Sequence, residues 1–359
     1  MRVRAARRRA SRGGAPESGG RRTSADSGLV DDLLRWQRLV NLTRLLDVRT
    51  WPDLATEAVL RVGGRLHGLE PPSDLPAEVR QRVTVRWPRA YHWPSYAKGG
   101  DQLRELLRRR VRLVSAQLPQ PYRGTILTEF EVDGRVHKVA FNVADYPEQL
   151  DAECTRESVV TFKFQYRREG YGQLPVVPAG YLPASPMLYD LLGYLRRAKD
   201  RRPSLFDVYG RFSLEFSPGV RGDALRHLGR TALFRFHGGD RMVRYSRYLR
   251  EIARSKICID LPGQGPFCFR LVEYLAVGSC VVAMPHGTSL QTPLVDGVHL
   301  AYCQDGPPDL IRRCRVLLED PSRRRAMEVA AREFFDRYLH RDRLSAYYLT
   351  TVLAAAGEA

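Results

Sequence analysis

An arginine and a glutamate three residues apart, Arg270 and Glu273, stand just behind a glycine-bearing loop in the run KICIDLPGQGPFCFRLVEYLAVG. A guanidinium neutralises a diphosphate through paired, charge-assisted hydrogen bonds. A carboxylate one turn further can accept from both hydroxyls of a ribose. Residues three apart share a helix face, and a helix N-terminus supplies unsatisfied N–H groups and a positive dipole end that favour phosphate. Gly263 and Gly265 lack a Cβ and so permit close backbone approach. The plainer alternative is an i, i+3 ion pair on a solvated helix, worth roughly 0.2–0.5 kcal/mol. The place of the pair, after a Gly-rich loop at the end of an apolar strand, favours binding chemistry.

Other groups offer less. Arg221, ahead of the helix GDALRHLG, is a second phosphate clamp or one more arginine among many. Lys163, alone in the apolar run VVTFKFQY, either faces the cleft and meets phosphate or sits on an exposed strand face. Asp145 ends a strand in the N-terminal domain, where it can serve as general base towards a hydroxyl or merely cap the next helix. His92, in the loop YHWPSY, has a similar case, and Trp93 and Tyr96 beside it can stack on a sugar ring or close a small core. The six cysteines form no C-x-x-C pair, so they read as buried thiols and no metal site is expected.

The stretch SKICIDLPGQGPFCFRLVEYLAVGSCVV, with PLVDGVHLAYC and EDPSRRRAMEVAAREFFDRYL after it, resembles the donor-binding domain of GT-B glycosyltransferases. The group-1-like, protein-O-glucosyltransferase-like and exostosin-like branches are the most similar; there an R-x-x-E helix after a Gly-containing loop grips the nucleotide diphosphate sugar. The resemblance implies that Arg270 holds diphosphate, Glu273 holds ribose and Gly278 ends the helix. Many group-1 enzymes carry a second glutamate eight residues earlier, where this chain has Gly265.

These residues need a scaffold. Strand and helix patterns alternate from Asp207: DVYGRFS, GDALRHLG, ALFRFHG, RYSRYLREIARS, KICIDLPG, FRLVEYLAVG, SCVVAMP and HLAYC. Such alternation, with central runs as apolar as ICIDL and CVVAM, implies a parallel sheet covered on both faces. Upstream, helices are expected over residues 29–46, 54–66 and 102–110, and strands over 83–87 and 112–116. Asp133 and Gly134, between two alternating runs, signal a β-hairpin. A strand ending at Asp145, a helix from Pro147 and a strand over 159–166 follow, then a Gly/Pro-rich connection. The chain closes with helices over 309–318, 323–338 and 344–355.

The 359 residues suit two α/β domains. The expected fold is α/β with two Rossmann-like domains in a GT-B-like arrangement. The divisions are an Arg-rich disordered tail at 1–27, an acceptor-side domain with helical preface and β-hairpin at 28–175, a connection at 176–206, a doubly wound donor domain at 207–338 and a terminal helix at 339–359. The net charge of +18 raises nucleic acid as a partner. Only five of the 58 basic residues are lysine, the imbalance of a GC-rich genome, and no nucleic-acid-binding motif accompanies the charge. No secretory signal or membrane-spanning run appears, so a cytoplasmic protein is expected, with peripheral contact to the inner membrane face through the tail as an option.

The expected activity is transfer of a sugar from a nucleotide diphosphate donor to an acceptor hydroxyl on a carbohydrate, lipid-linked or other small molecule. No cofactor and no nucleic-acid partner are expected. The absence of a D-x-D triplet fits leaving-group stabilisation by arginine and helix dipole without a metal. The alternatives are a degenerate nucleotide-binding protein without transfer and a charge-driven nucleic-acid binder.

Overall fold

Asp133 and Gly134 turn the chain with φ of 48° and 83°, the two positive values that a tight hairpin turn requires. They join β3 (Thr125–Val132) to β4 (Arg135–Asn142), as expected. The structure, a computed structural model, describes residues 51–66, 77–91 and 94–357. The tail at 1–27, the helix expected over 29–46, His92 and Trp93 lie outside the described residues. Everything described belongs to one unit, Trp51–Ala359.

The hairpin sits at the centre of a six-stranded mixed sheet of order β2-β1-β3-β4-β5-β6. Its other strands are β1 (Val83–Pro88), β2 (Arg112–Ala116), β5 (Val160–Lys163) and β6 (Val176–Pro178). The flanking helices are α1 (Trp51–Leu66), α2 (Ala77–Arg82), α3 (Pro94–Arg108) and α4 (Ala152–Glu157). Three local expectations fail here, the first being the helix expected from residue 102, which starts at Pro94. The fourth strand ends at Asn142, not Asp145, and α4 starts at Ala152, not near Pro147. Asp151 explains the later start, since its side chain accepts from the Cys154 N–H and caps the helix. The stretch 176–206 is also more than a connection. It holds β6 and α5 (Met187–Arg201), whose Leu188, Leu191, Leu192 and Leu195 are buried at helical spacing.

The second sheet is parallel throughout, with the order β11-β10-β9-β7-β8. Its strands are β7 (Phe206–Arg211), β8 (Phe236–Gly239), β9 (Ser255–Asp260), β10 (Cys280–Ala283) and β11 (Ala301–Tyr302). Helices α6 (Pro218–Arg230), α7 (Tyr245–Ala253) and α8 (Phe269–Val277) connect β7 to β8, β8 to β9 and β9 to β10, and α9 (Gly306–Glu319) follows β11. Alternation explains why these strands read as unbroken apolar runs: Ile257 and Ile259 pack into one core and Cys258 into the other. Both faces are covered. All six cysteines are buried and unpaired, as expected.

After α10 (Pro321–Phe334) a π-helical turn, Phe335–Leu339, redirects the chain into α11 (Arg341–Ala356). That last helix returns to the first sheet. The Tyr348 ring lies 4.9 Å from Phe162 and 5.4 Å from Phe141, and its hydroxyl donates to the Ala179 carbonyl at 2.7 Å. One core therefore runs from the first sheet to the inner face of the second.

Candidate functional site

In the second sheet the chain runs outward from β7 in one direction to β8 and in the other to β9, β10 and β11. Ligands of open α/β sheets bind at such a reversal, outside the carboxyl ends of the strands. Two loops leave the sheet there: residues 212–217 after β7 and residues 261–268 after β9. Arg221, Gly263, Gly265, Arg270 and Glu273 all belong to these loops or to the helices that follow them.

Arg270 lies in the first turn of α8 and is 6% exposed. Its Nη2 donates to the Leu261 carbonyl at 2.9 Å, its guanidinium lies 5.0 Å from the Phe212 ring centroid, and its Nε is 3.5 Å from Asp260 Oδ1. Neither Nε nor that Oδ1 has a hydrogen-bond partner. Glu273, on the same helix, is fully buried. Its Oε1 accepts from the Ala184 N–H at 2.9 Å and the Tyr245 hydroxyl at 2.7 Å, while Oε2 has no partner. Burial pushes this carboxyl up to about 7, against the opposing pull of the Tyr245 hydroxyl, the Ala184 N–H, the Tyr248 hydroxyl and Arg270. Gly278 ends the helix with φ of 80°, as expected.

Arg221 falls within the first turn of α6, not ahead of that helix. It is buried, donating to the Pro262 carbonyl at 2.8 Å and to the Ser213 carbonyl at 2.7 Å. It thus ties the two loops together. Burial first, then the neighbouring Arg270 charge, holds its pKa below the ordinary arginine value. A Cβ on Gly263 would lie 2.7 Å from Cys268 Sγ, and one on Gly265 would lie 2.1 Å from the Asp145 carbonyl oxygen. These glycines serve close packing of protein on protein, and Gly265 brings the loop before α8 against the segments that follow β4 and β5.

Lys163 has a different place from the expected one. It is fully buried, and its ammonium donates to Asn142 Oδ1 at 2.7 Å, the Tyr146 carbonyl at 2.9 Å and the Ala144 carbonyl at 3.4 Å. Burial lowers it to about 8 despite nearby Glu148 and Asp145. It is a strut that fixes residues 142–146 and so positions Asp145. That aspartate is half-buried, and burial raises its carboxyl pKa while Lys163 opposes the rise.

Sequence reasoning missed four side chains. Gln165 exchanges two hydrogen bonds with the Phe267 backbone, at 2.9 and 3.2 Å, and so pins the loop before α8 to the first sheet. Asp260, fully buried, lies between Arg270 and His286, and His286 Nδ1 is 3.2 Å from the Tyr302 hydroxyl. An aspartate closing the apolar run KICID was the available signal.

Residues 220–348, which include α8 and most of α6, match the family described as glycosyl transferase-like. Over 92 residues the chain is 35% identical to the probable glucuronoxylan glucuronosyltransferase IRX7 of Arabidopsis thaliana, covering 24% of this chain and 20% of that one. The chain thus spans about a fifth of that relative's length. Among solved structures, a glycosyltransferase from Rickettsia africae is 10% identical with a TM-score of 0.39, covering 56% of this chain and 64% of that one. Anabaena Alr3699/HepE in complex with UDP is 15% identical with a TM-score of 0.37, covering 56% and 65%.

Proposed function

We propose that the protein transfers a sugar from a nucleotide diphosphate donor to an acceptor hydroxyl. The observation that carries this reading is the pair of buried, half-satisfied charges on α8, Arg270 and Glu273, at the reversal point of the parallel sheet. Buried polar atoms are nearly always partnered, so a guanidinium whose Nε is held only by a 3.5 Å ion pair to Asp260, and an Oε2 with no hydrogen bond, suit a ligand that brings acceptors and donors of its own. Arg270 and the N–H groups at the start of α8 hold the diphosphate. Glu273 accepts from the ribose.

In the transfer step the acceptor oxygen bonds to the anomeric carbon as the bond from that carbon to the diphosphate oxygen breaks. The hydroxyl proton passes to a base, and Asp145, with its raised carboxyl, is the candidate that the donor loop touches. Charge developing on the departing diphosphate is met by Arg270 and the helix dipole.

This arrangement needs no divalent ion to hold the leaving group. Transfer measured with a panel of nucleotide sugars should survive EDTA. Complete loss on chelation, restored by Mn²⁺ or Mg²⁺, would move the diphosphate from arginine to a metal. Absence of any nucleoside diphosphate binding by calorimetry would remove the donor site altogether.

A further inference from the structure

At the amino ends of β7 and β9, the opposite end of the second sheet from Arg270, a cavity of about 300 Å³ opens between α5 and α7. Arg202, Arg247, Arg250 and Arg254 line it, with Glu251 as its one carboxylate. Arg247, Arg250 and Arg254 recur at intervals of three and four residues along α7 and its C-terminal cap, so one helical face delivers three guanidiniums. Arg202 caps the end of α5 and lies 5.8 Å from the Tyr194 ring centroid. The loop that carries it is pinned. The Arg254 carbonyl accepts from the Leu205 and Phe206 N–H groups at 2.7 and 3.2 Å, and Arg254 Nε donates to the Pro203 carbonyl at 3.0 Å.

A guanidinium stays charged at any working pH, so the cavity gathers four cations against one anion. Glu251 does not serve them alone. Its carboxylate accepts from Arg211 Nε at 2.7 Å and the Tyr209 hydroxyl at 3.0 Å as well as from Arg247 Nε at 3.0 Å. Arg202 and Arg254 form no ion pair among the described residues. Like charges gathered round one cavity repel each other, and an anion from outside relieves that repulsion. The excess of cations narrows the class of anion. A carboxylate brings one charge, whereas a phosphomonoester brings about −1.5 to −2 near neutral pH, with three oxygens that accept from guanidinium forks. Tyr194, Leu205 and Phe206 add an apolar wall, and the cavity is larger than a bare phosphate fills. The ligand that fits therefore carries an apolar or aromatic group on its phosphate.

We propose that this cavity is a second anion-binding site, for a phosphomonoester that carries an apolar or aromatic group. Its arginines hold the phosphate, and the Tyr194 and Phe206 rings pack against the rest. The inference does not depend on the donor site, since Arg270 and Glu273 stand at the other ends of the strands and neither lines the cavity. Such a phosphoester comes either free in solution or as the headgroup of an anionic lipid.

The test is calorimetry of phenyl phosphate and of inorganic phosphate on the full chain, on Arg202→Gln/Arg247→Gln and on Arg270→Lys. The parent should bind phenyl phosphate more tightly than inorganic phosphate. The double variant, which leaves Glu251 its Arg211 partner, should weaken phenyl phosphate by about tenfold or more, as the loss of a charge-assisted hydrogen bond requires. Arg270→Lys should leave that affinity unchanged. Equal affinity in parent and double variant overturns the proposal, as do weakening by Arg270→Lys alone, no preference for phenyl over inorganic phosphate, and no binding by the parent. Should the double variant not fold, Arg202→Glu gives the same reading at an exposed side chain with no hydrogen bond among the described residues. Sedimentation with vesicles of phosphatidylcholine and phosphatidic acid separates the two sources. Parent and variant carry the same Arg-rich tail, so a difference between them reports the cavity. Retention lost in the variant assigns a lipid headgroup; equal retention, with phenyl phosphate binding weakened, assigns a soluble phosphoester. Failure of UDP to bind would remove the donor site and leave this one standing.

Discussion

Glu273 shows how one buried carboxyl serves both binding and stability. Its ordinary value of 4.5 is pushed up to about 7, chiefly by burial. Between those values the folded protein holds a proton that the unfolded chain has released. Stability should therefore fall as pH rises from about 4.5 to 7 and then level off. Glu273→Gln removes that slope while keeping an acceptor for Ala184 and Tyr245. Melting curves at pH 5 and pH 8 should show the variant gaining on the parent at the higher pH. A parallel pH dependence in the two proteins would mean that Glu273 is ionised throughout. For affinity, Arg270→Lys keeps the charge but loses the planar fork. It should weaken a nucleoside diphosphate by about 1.5–3 kcal/mol, the worth of a charge-assisted hydrogen bond, and leave the bare nucleoside nearly unchanged. Glu273→Ala should weaken both, and equal calorimetric affinities in variants and parent would remove the site assignment.

At the scale of elements, the decisive contact is between the loop before α8 and the segments that follow β4 and β5. Gly265 has no room for a Cβ, with the Asp145 carbonyl oxygen at 2.1 Å and Gln165 Nε2 at 2.6 Å from where it would stand. Gly265→Ala must push the two loops apart, and overpacking of this kind costs about 1–3 kcal/mol. Its melting temperature should drop and UDP affinity should fall together. Gln165→Leu removes both hydrogen bonds to Phe267 and should move the same two readouts in the same direction. Gly263→Ala meets a side chain, Cys268 Sγ, and not backbone, so its effect should be the smaller. If Gly265→Ala binds and melts like the parent, the loop contact has no part in the site.

For the whole molecule, α11 closes a core shared by the two sheets. Leu344, Tyr348, Leu349, Val352 and Leu353 of that helix all belong to it. Tyr348→Phe leaves the buried Ala179 carbonyl without its donor and should cost about 1–3 kcal/mol in denaturant titration. Removing residues 341–359 should abolish the cooperative transition, because the first sheet then loses the cover of Phe141 and Phe162. The opposite expectation applies to residues 1–27. Their composition offers little apolar surface to bury and carries eight arginines against two acids, so their deletion should leave the melting temperature nearly unchanged. If they reach an anionic membrane, where each arginine adds up to about 1 kcal/mol, deletion should also reduce liposome co-sedimentation at low salt with UDP affinity preserved.

The sequence by itself determined what is local. Period-two runs, apolar strands and Gly/Pro breaks were enough for the parallel half of the fold, the Asp133–Gly134 turn and the end of α8 at Gly278, because each depends on neighbours within a few residues. The Arg270 and Glu273 spacing was legible for the same reason. Tertiary structure decided what joins distant segments. Nothing in VVTFKFQY tells that Lys163 is consumed by three acceptors at the end of β4, or that Gln165 grips a loop 102 residues away. The Gly/Pro-rich stretch hid β6, since a three-residue edge strand has no period to read. Asp260, His286 and Tyr302 come from three separate strand ends, so only parallel pairing of β9, β10 and β11 could set them in a row behind Arg270. Spacing along the chain carries chemistry within one helical turn, and the sheet carries it across the rest.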